Sequence, residues 1–236
     1  MNLLLLEPGD FINANRVQLQ GRRLQHMLEV HGVKTGDTLK AGVLNGAIGT
    51  ARILQLSETL AELEVALDKA PPPPLPITLL LALPRPKMLR RVLQTVATMG
   101  VKQLYLINSW RVEKSYWQSP FLSEQAIREQ LLLGLEQGCD TLLPEVYIRQ
   151  RFKPFVEDEL PLLAVGKVAL VAHPSGETPC PTSIQDNLVL AMGPEGGFID
   201  YEIQKLQETG FETVTLGARI LRVETAIPAI LGRLFQ

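Results

Sequence analysis

Two strand-turn-helix units near the C-terminus limit the folds open to this chain more than any other feature. Residues 187–192 (Asn-Leu-Val-Leu-Ala-Met) read as a short buried strand. They lead into the turn Gly193-Pro194-Glu195-Gly196-Gly197-Phe198. Residues 201–209 then read as a helix that stops at Gly210, with Asp200 as its expected cap. The arrangement repeats at once, with residues 213–216 as a strand, Gly217 as the break and Thr225 as the expected cap of a last helix that carries Pro228 in its first turn. Glycines at such turns let main-chain groups approach a ligand, and in open α/β sheets ligands bind outside the carboxyl ends of the strands. A glycine-rich connection can also be purely structural. Neither turn matches a phosphate loop or a dinucleotide fingerprint, which argues against nucleotide hydrolysis and nicotinamide redox chemistry.

The run Pro71-Pro72-Pro73-Pro74-Leu75-Pro76 divides the chain, because consecutive prolines favour a stiff, extended spacer. Three segments follow: residues 1–70, the linker 71–76, and residues 77–236. In the first, β-like runs at residues 3–6, 38–43, 49–56 and 59–67 flank one helix at 22–30, and the pattern predicts a small antiparallel barrel. In the third, strands expected at 77–83, 104–108, 145–149 and 167–172 alternate with helices expected at 87–99 and 120–137. That alternation predicts a parallel sheet covered by helices on both faces.

With 46% hydrophobic residues in 236, the chain can build a sizeable core. Its net charge of −2 is not that of a protein held on nucleic acid by bulk charge, so any RNA contact depends on local patches. One such patch runs from Arg85 to Lys114, where Arg85, Lys87, Arg90, Arg91, Lys102, Arg111 and Lys114 accompany a single acid, Glu113. It reads equally as a solvated helix face. Cys139 and Cys180 form no paired motif, which suits a reducing cytosol. His26, His31 and His173 lack the spacing of a metal site. No secretory leader or membrane span is expected, since the apolar run at residues 3–6 is short and lacks a basic flank.

These residues carry a resemblance. The pair Gly193-Pro194-Glu195-Gly196-Gly197-Phe198 and Leu216-Gly217-Ala218-Arg219-Ile220-Leu221-Arg222-Val223-Glu224-Thr225-Ala226 is similar to the C-terminal motifs of the ribosomal RNA small subunit methyltransferase E family, uridine-N3 methyltransferases of the SPOUT class. The stretch from His26 to Gly42 (with Val33-Lys34-Thr35-Gly36-Asp37), Gly100-Val101, Glu136-Gln137, Leu143-Pro144-Glu145 and His173-Pro174 fall in the family's order, so the resemblance covers most of the chain. Three positions depart from it. Thr95 and Thr98 stand where the family carries a lysine and a glutamate, and Asp140 stands in place of an arginine.

The resemblance implies a PUA-like RNA-binding barrel over residues 1–70, then a SPOUT parallel-sheet domain with a deep trefoil knot, assembled as a cytoplasmic homodimer. It implies S-adenosylmethionine as cofactor, held by His173, Gly193, Pro194, Glu195, Gly196, Gly197, Leu216, Gly217, Leu221 and Arg222. The implied reaction is methylation of N3 of a uridine in 16S ribosomal RNA, as free RNA or in the assembled small subunit. Arg222, with Arg219 as second candidate, would stabilise the developing uracil anion. Glu224 or Glu195 would accept the proton, although an ion pair is an equally good use for Glu224. Arg16, Arg22, Arg23, His26, Lys87, Arg90 and Arg91 are the expected RNA contacts, and no metal is expected. Because of the three departures, two other readings stay open: a SPOUT methyltransferase acting on another RNA, and a non-catalytic RNA-binding or ribosome-assembly factor.

Overall fold

The computed structural model describes residues 2–29 and 32–235. Val30, the expected end of the first helix, and His31, one of the three histidines, lie outside the described residues, as does Met1. Two compact units emerge, divided within the proline run: residues 1–73 with 132–143, and residues 74–131 with 144–236. The inclusion of 132–143 in the first unit is not visible in the sequence pattern.

The first unit contains β1 (Leu4–Leu6), β2 (Phe11–Asn13), β3 (Arg16–Leu19), α1 (Gly21–Glu29), β4 (Thr38–Val43), β5 (Ile48–Leu56) and β6 (Ala61–Lys69), in the sheet order β1-β4-β5-β6-β3-β2. The expected sheet was wholly antiparallel, but β1 runs parallel to β4, pairing Leu4 with Ala41. A strand can reach that register only through a long excursion, here β2, β3 and α1. β2 and β3 are not visible in the sequence pattern because residues 11–16 (Phe-Ile-Asn-Ala-Asn-Arg) show no sustained alternation; their order comes from pairing, with Arg16 opposite Glu64 on β6. Alternation on β6 places Ala61, Leu63 and Val65 in a core with Leu4, Leu6, Val17, Leu19, Leu24, Met27 and Ile53.

The second unit is a sheet of seven strands, all parallel. β7 (Ile77–Ala82), α2 (Pro86–Thr98), β8 (Gln103–Ile107), α3 (Glu124–Gly138, whose residues from 132 on belong to the first unit) and β9 (Glu145–Arg149) lead to a helical stretch, α4 (Phe152–Pro154), a π-helical turn (Phe155–Glu159) and α5 (Leu160–Ala164). Then come β10 (Val168–Ala172), β11 (Thr178–Pro179), β12 (Leu188–Met192), α6 (Asp200–Glu208), β13 (Glu212–Thr215) and α7 (Val223–Leu234). Strand order is β11-β13-β10-β12-β7-β8-β9. Every residue of β7 and β12 is buried, as continuous apolar runs at the centre of a parallel sheet require.

Two helix starts differ from expectation. Asp200 is the first residue of α6 rather than its cap; the buried Glu202 caps instead, its Oε2 accepting the Ile199 amide at 3.0 Å. α7 begins at Val223 with Arg222 at its N-cap, so Thr225 is already helical and Pro228 lies inside the helix. Arg222 O receives the Thr225 and Ala226 amides at 2.9 and 2.8 Å. The early start brings α7 to the edge of the site described next.

Candidate active site

β13, β10 and β12 are neighbours, so the loops leaving their carboxyl ends converge. Together they line a cavity of about 100 Å³ built from Ala172-His173-Pro174, Met192 to Glu195 with Gly197, and Val214 to Gly217 with Arg219, Ile220 and Leu221; Val223 and Ala226 of α7 close it. Its walls are mostly apolar, with His173, Glu195, Thr215 and Arg219 as the polar and charged side chains among them.

The Gly193 turn has its composition for a steric reason. A Cβ on Gly193 would lie 2.8 Å from the Phe198 amide nitrogen and 3.1 Å from the Gly197 carbonyl carbon, so no side chain fits the turn. Gly197 takes a φ of 74°, and its amide donates to Pro194 O at 2.8 Å. Phe198, 2% exposed, anchors the turn in the core beside Phe152, at a ring distance of 6.3 Å. His173 takes the Ser175 amide on Nδ1 at 3.3 Å and lies 2.7 Å from Ser175 Oγ, with Nε2 toward Gly197. The third loop is held only lightly: the Gly217 amide donates to Thr215 Oγ1 at 3.2 Å, while Ile220 is 81% exposed.

A broader cavity of about 960 Å³ adjoins the first through Glu195, which lines both. Arg85, Lys87, Met88, Glu113, Tyr116, Phe121, Arg222 and Glu224 make up most of its remaining wall. Glu195 Oε1 accepts the Arg85 amide at 3.1 Å, which ties the β12 loop to the β7–α2 connection. Burial, followed by the hydrogen bond to Glu113, pushes the Tyr116 phenol above its ordinary value, so Tyr116 enters neutral solution as a protonated donor.

Of the ten residues expected at the cofactor, eight line the first cavity: His173, Gly193, Pro194, Glu195, Gly197, Leu216, Gly217 and Leu221. Two do not. Gly196 faces Arg111, whose guanidinium donates to the Gly196 carbonyl, and Arg222 points into the second cavity with Glu224. Arg219 goes the other way, into the first. Met192, Val214 and Val223 were missed, being signalled only by their position at strand and helix ends; Arg85 and Arg111 belong to the basic patch read from the sequence, where nothing local marks their place beside the Glu195 and Gly196 turn.

The expected RNA contacts divide in the same way. Lys87 lines the second cavity, Arg90 lies 5.3 Å over the Phe121 ring, and Arg91 is exposed on the same helix. In the first unit the arginines have acidic partners. Arg16 meets Glu62 at 3.1 Å, Arg22 clasps the buried Glu136 at 2.6 and 3.1 Å, and Arg23 clasps Asp10 at 2.6 Å through both nitrogens. His26 is half-buried. Asp140, a departure from the family pattern, is 4% exposed and accepts the Leu142 amide at 2.9 Å. It is a turn-forming group, not a surface charge.

Comparison with known proteins agrees with the geometry. Over 232 residues the chain is 28% identical to the ribosomal RNA small subunit methyltransferase E of Treponema pallidum, covering 96% of this chain and 87% of that one. It is also 28% identical to the protein of that name from Synechocystis, covering 98% and 76%. The crystal structure of a ribosomal RNA small subunit methyltransferase E from Neisseria gonorrhoeae bound to S-adenosyl methionine superposes with a TM-score of 0.74 at 25% identity, over 98% of this chain and 95% of that one. The RNA methyltransferase domain family matches residues 71–235, and the chain belongs to that family.

Proposed function

We propose that the protein transfers a methyl group from S-adenosylmethionine to N3 of an unpaired uridine in small-subunit ribosomal RNA. The observation that carries this reading is the cavity at the ends of β10, β12 and β13, lined by eight of the residues that the family resemblance implies at the cofactor. Met192, Val214, Leu216 and Leu221 offer apolar walls for an adenine, and the loop backbones offer amides and carbonyls for its edge and ribose. The relatives' names and the cofactor in the gonococcal structure support the choice of ligand.

Bound there, the cofactor supplies a sulfonium methyl, and the chain's own groups prepare the uridine. The second cavity is the natural seat for the base, since it meets the first at Glu195. As N3 loses its proton, charge spreads to the flanking uracil oxygens, and Arg222 stabilises it. Glu195 or Glu224 takes the proton. Lys87, Arg90 and Arg91 hold the RNA backbone, and the first unit adds the RNA grip of a PUA-like barrel. A knotted, dimeric enzyme in the cytoplasm belongs to the same reading.

Purified protein incubated with methyl-labelled S-adenosylmethionine and undermodified small ribosomal subunits tests the proposal, with the labelled nucleoside identified by mass spectrometry. Label in 3-methyluridine is expected, and Arg222→Ala should lower kcat by about 10²-fold or more while leaving cofactor affinity intact. Label in another nucleoside or RNA would move the substrate; cofactor binding with no label in any RNA would favour an assembly factor.

A further inference from the structure

Trp110 is 79% exposed, yet its backbone amide is held by a buried carboxylate. Glu202, 3% exposed, accepts the Trp110 amide at 2.8 Å, the Ser109 hydroxyl at 3.1 Å and the Ile199 amide at 3.0 Å. A buried carboxylate thus fixes the loop after β8 and the start of α6 together, with the indole turned to solvent. Around it lies a cleft of about 510 Å³ with Trp117, Phe152 and Tyr201 as further aromatic walls and Lys114 and Lys153 at its edge. Tyr201 is 46% exposed; Trp117 is held by its Nε1 donating to Asn108 Oδ1 at 3.0 Å.

The charges around the cleft favour an anion. Lys114 and Lys153 stand in its wall against one carboxylate, Glu202, which is buried and triply hydrogen-bonded; Glu157 beyond it lies 3.8 Å from Lys153 and 3.6 Å from Lys205, whose nearer partner is Glu208 at 2.7 Å. Position completes the argument. Arg111, next to Trp110, donates to the Gly196 carbonyl, so the cleft borders the turn that walls the cofactor cavity.

We infer that this cleft holds a second unpaired base of the RNA substrate, stacked on Trp110, with its phosphates against Lys114 and Lys153; the inference rests on the RNA methyltransferase reading above. An indole face accepts any base, so this contact positions the strand without reading its sequence, and the target uridine is selected at the other cavity.

The test uses the full chain. Trp117→Phe leaves Trp110 as the sole indole, and titration with a uridine oligonucleotide should quench its fluorescence. Trp110→Ala should bind undermodified small subunits about 5- to 150-fold more weakly than the parent, Trp110→Tyr should recover most of that loss, and S-adenosylmethionine affinity by calorimetry should not change in either. No quenching together with parental affinity for the particles in Trp110→Ala overturns the inference. So does a shift from dimer to monomer in light scattering with RNA affinity intact, which would assign the face to a second copy. A parent protein that binds neither cofactor nor RNA would instead sink the methyltransferase reading itself.

Discussion

Glu202→Gln tests the connection between helix capping and the site. Glu202 receives three donors inside the protein, two on Oε2 and one on Oε1. A glutamine keeps one carbonyl oxygen and turns an NH₂ toward the remaining donor, so at least one buried N–H or O–H loses its partner while the others lose a charged acceptor. A hydrogen bond to a charged group contributes about 1.5–3 kcal/mol and an orphaned buried donor costs about 1–3 kcal/mol; with partial relaxation the variant should lose about 2–4 kcal/mol. Both tryptophans, Trp110 and Trp117, stand in this unit beside Glu202, so intrinsic fluorescence follows its unfolding selectively. At a urea slope of about 2 kcal/mol per molar, the midpoint should fall by about 1–2 M. Glu208→Gln on the same helix, which touches only exposed contacts with Lys205 and Gln204, is the control and should leave the midpoint in place. A Glu202→Gln midpoint within about 0.2 M of the parent would show that water replaces the lost acceptor, and the account of a buried hub would be wrong.

Three further outcomes are expected. Gly193→Ala forces a methyl into the backbone at 2.8 Å, so S-adenosylmethionine affinity by calorimetry should fall at least about tenfold while circular dichroism stays native; affinity within twofold would refute the steric argument. The exposed loop 216–221 lines the first cavity through Leu216, Gly217, Arg219, Ile220 and Leu221, so a ligand bound there should settle it. Hydrogen exchange there should slow on adding S-adenosylmethionine, and unchanged exchange would place the ligand elsewhere. Burial pushes the Cys180 thiol above its ordinary value against the opposing pull of Arg233, so at pH 8 the native protein should be alkylated at Cys139 well before Cys180; equal rates would refute that burial.

Much of the fold was legible because it is written in local pattern. The apolar runs of β7 and β12, the exposed alternation of β6 and the stripe of Leu89, Val92, Leu93 and Val96 on α2 each follow from a period shorter than one element. Helix starts were less legible: Asp200 and Thr225 have capping side chains, but Glu202 and the Arg222 carbonyl do the capping, because the helix begins where the loop geometry lets it. β2 and β3 were invisible, since their order comes from the partner strand and not from their own composition.

By itself, the sequence determined a parallel α/β unit with glycine-bearing loops at its carboxyl ends: strand polarity follows from the helical connections, and only glycine fits the Gly193 turn. Tertiary structure decided the division of labour. It placed Arg222 in the wall of the second cavity and Arg219 in that of the first, although the two are three residues apart. It also matched Arg22 with Glu136 across 114 positions and joined Glu202 to Trp110 across 92. Such pairings leave no periodic trace in the chain. A charged side chain finds its partner only after the backbone has brought distant segments together, and burial then makes the partner compulsory.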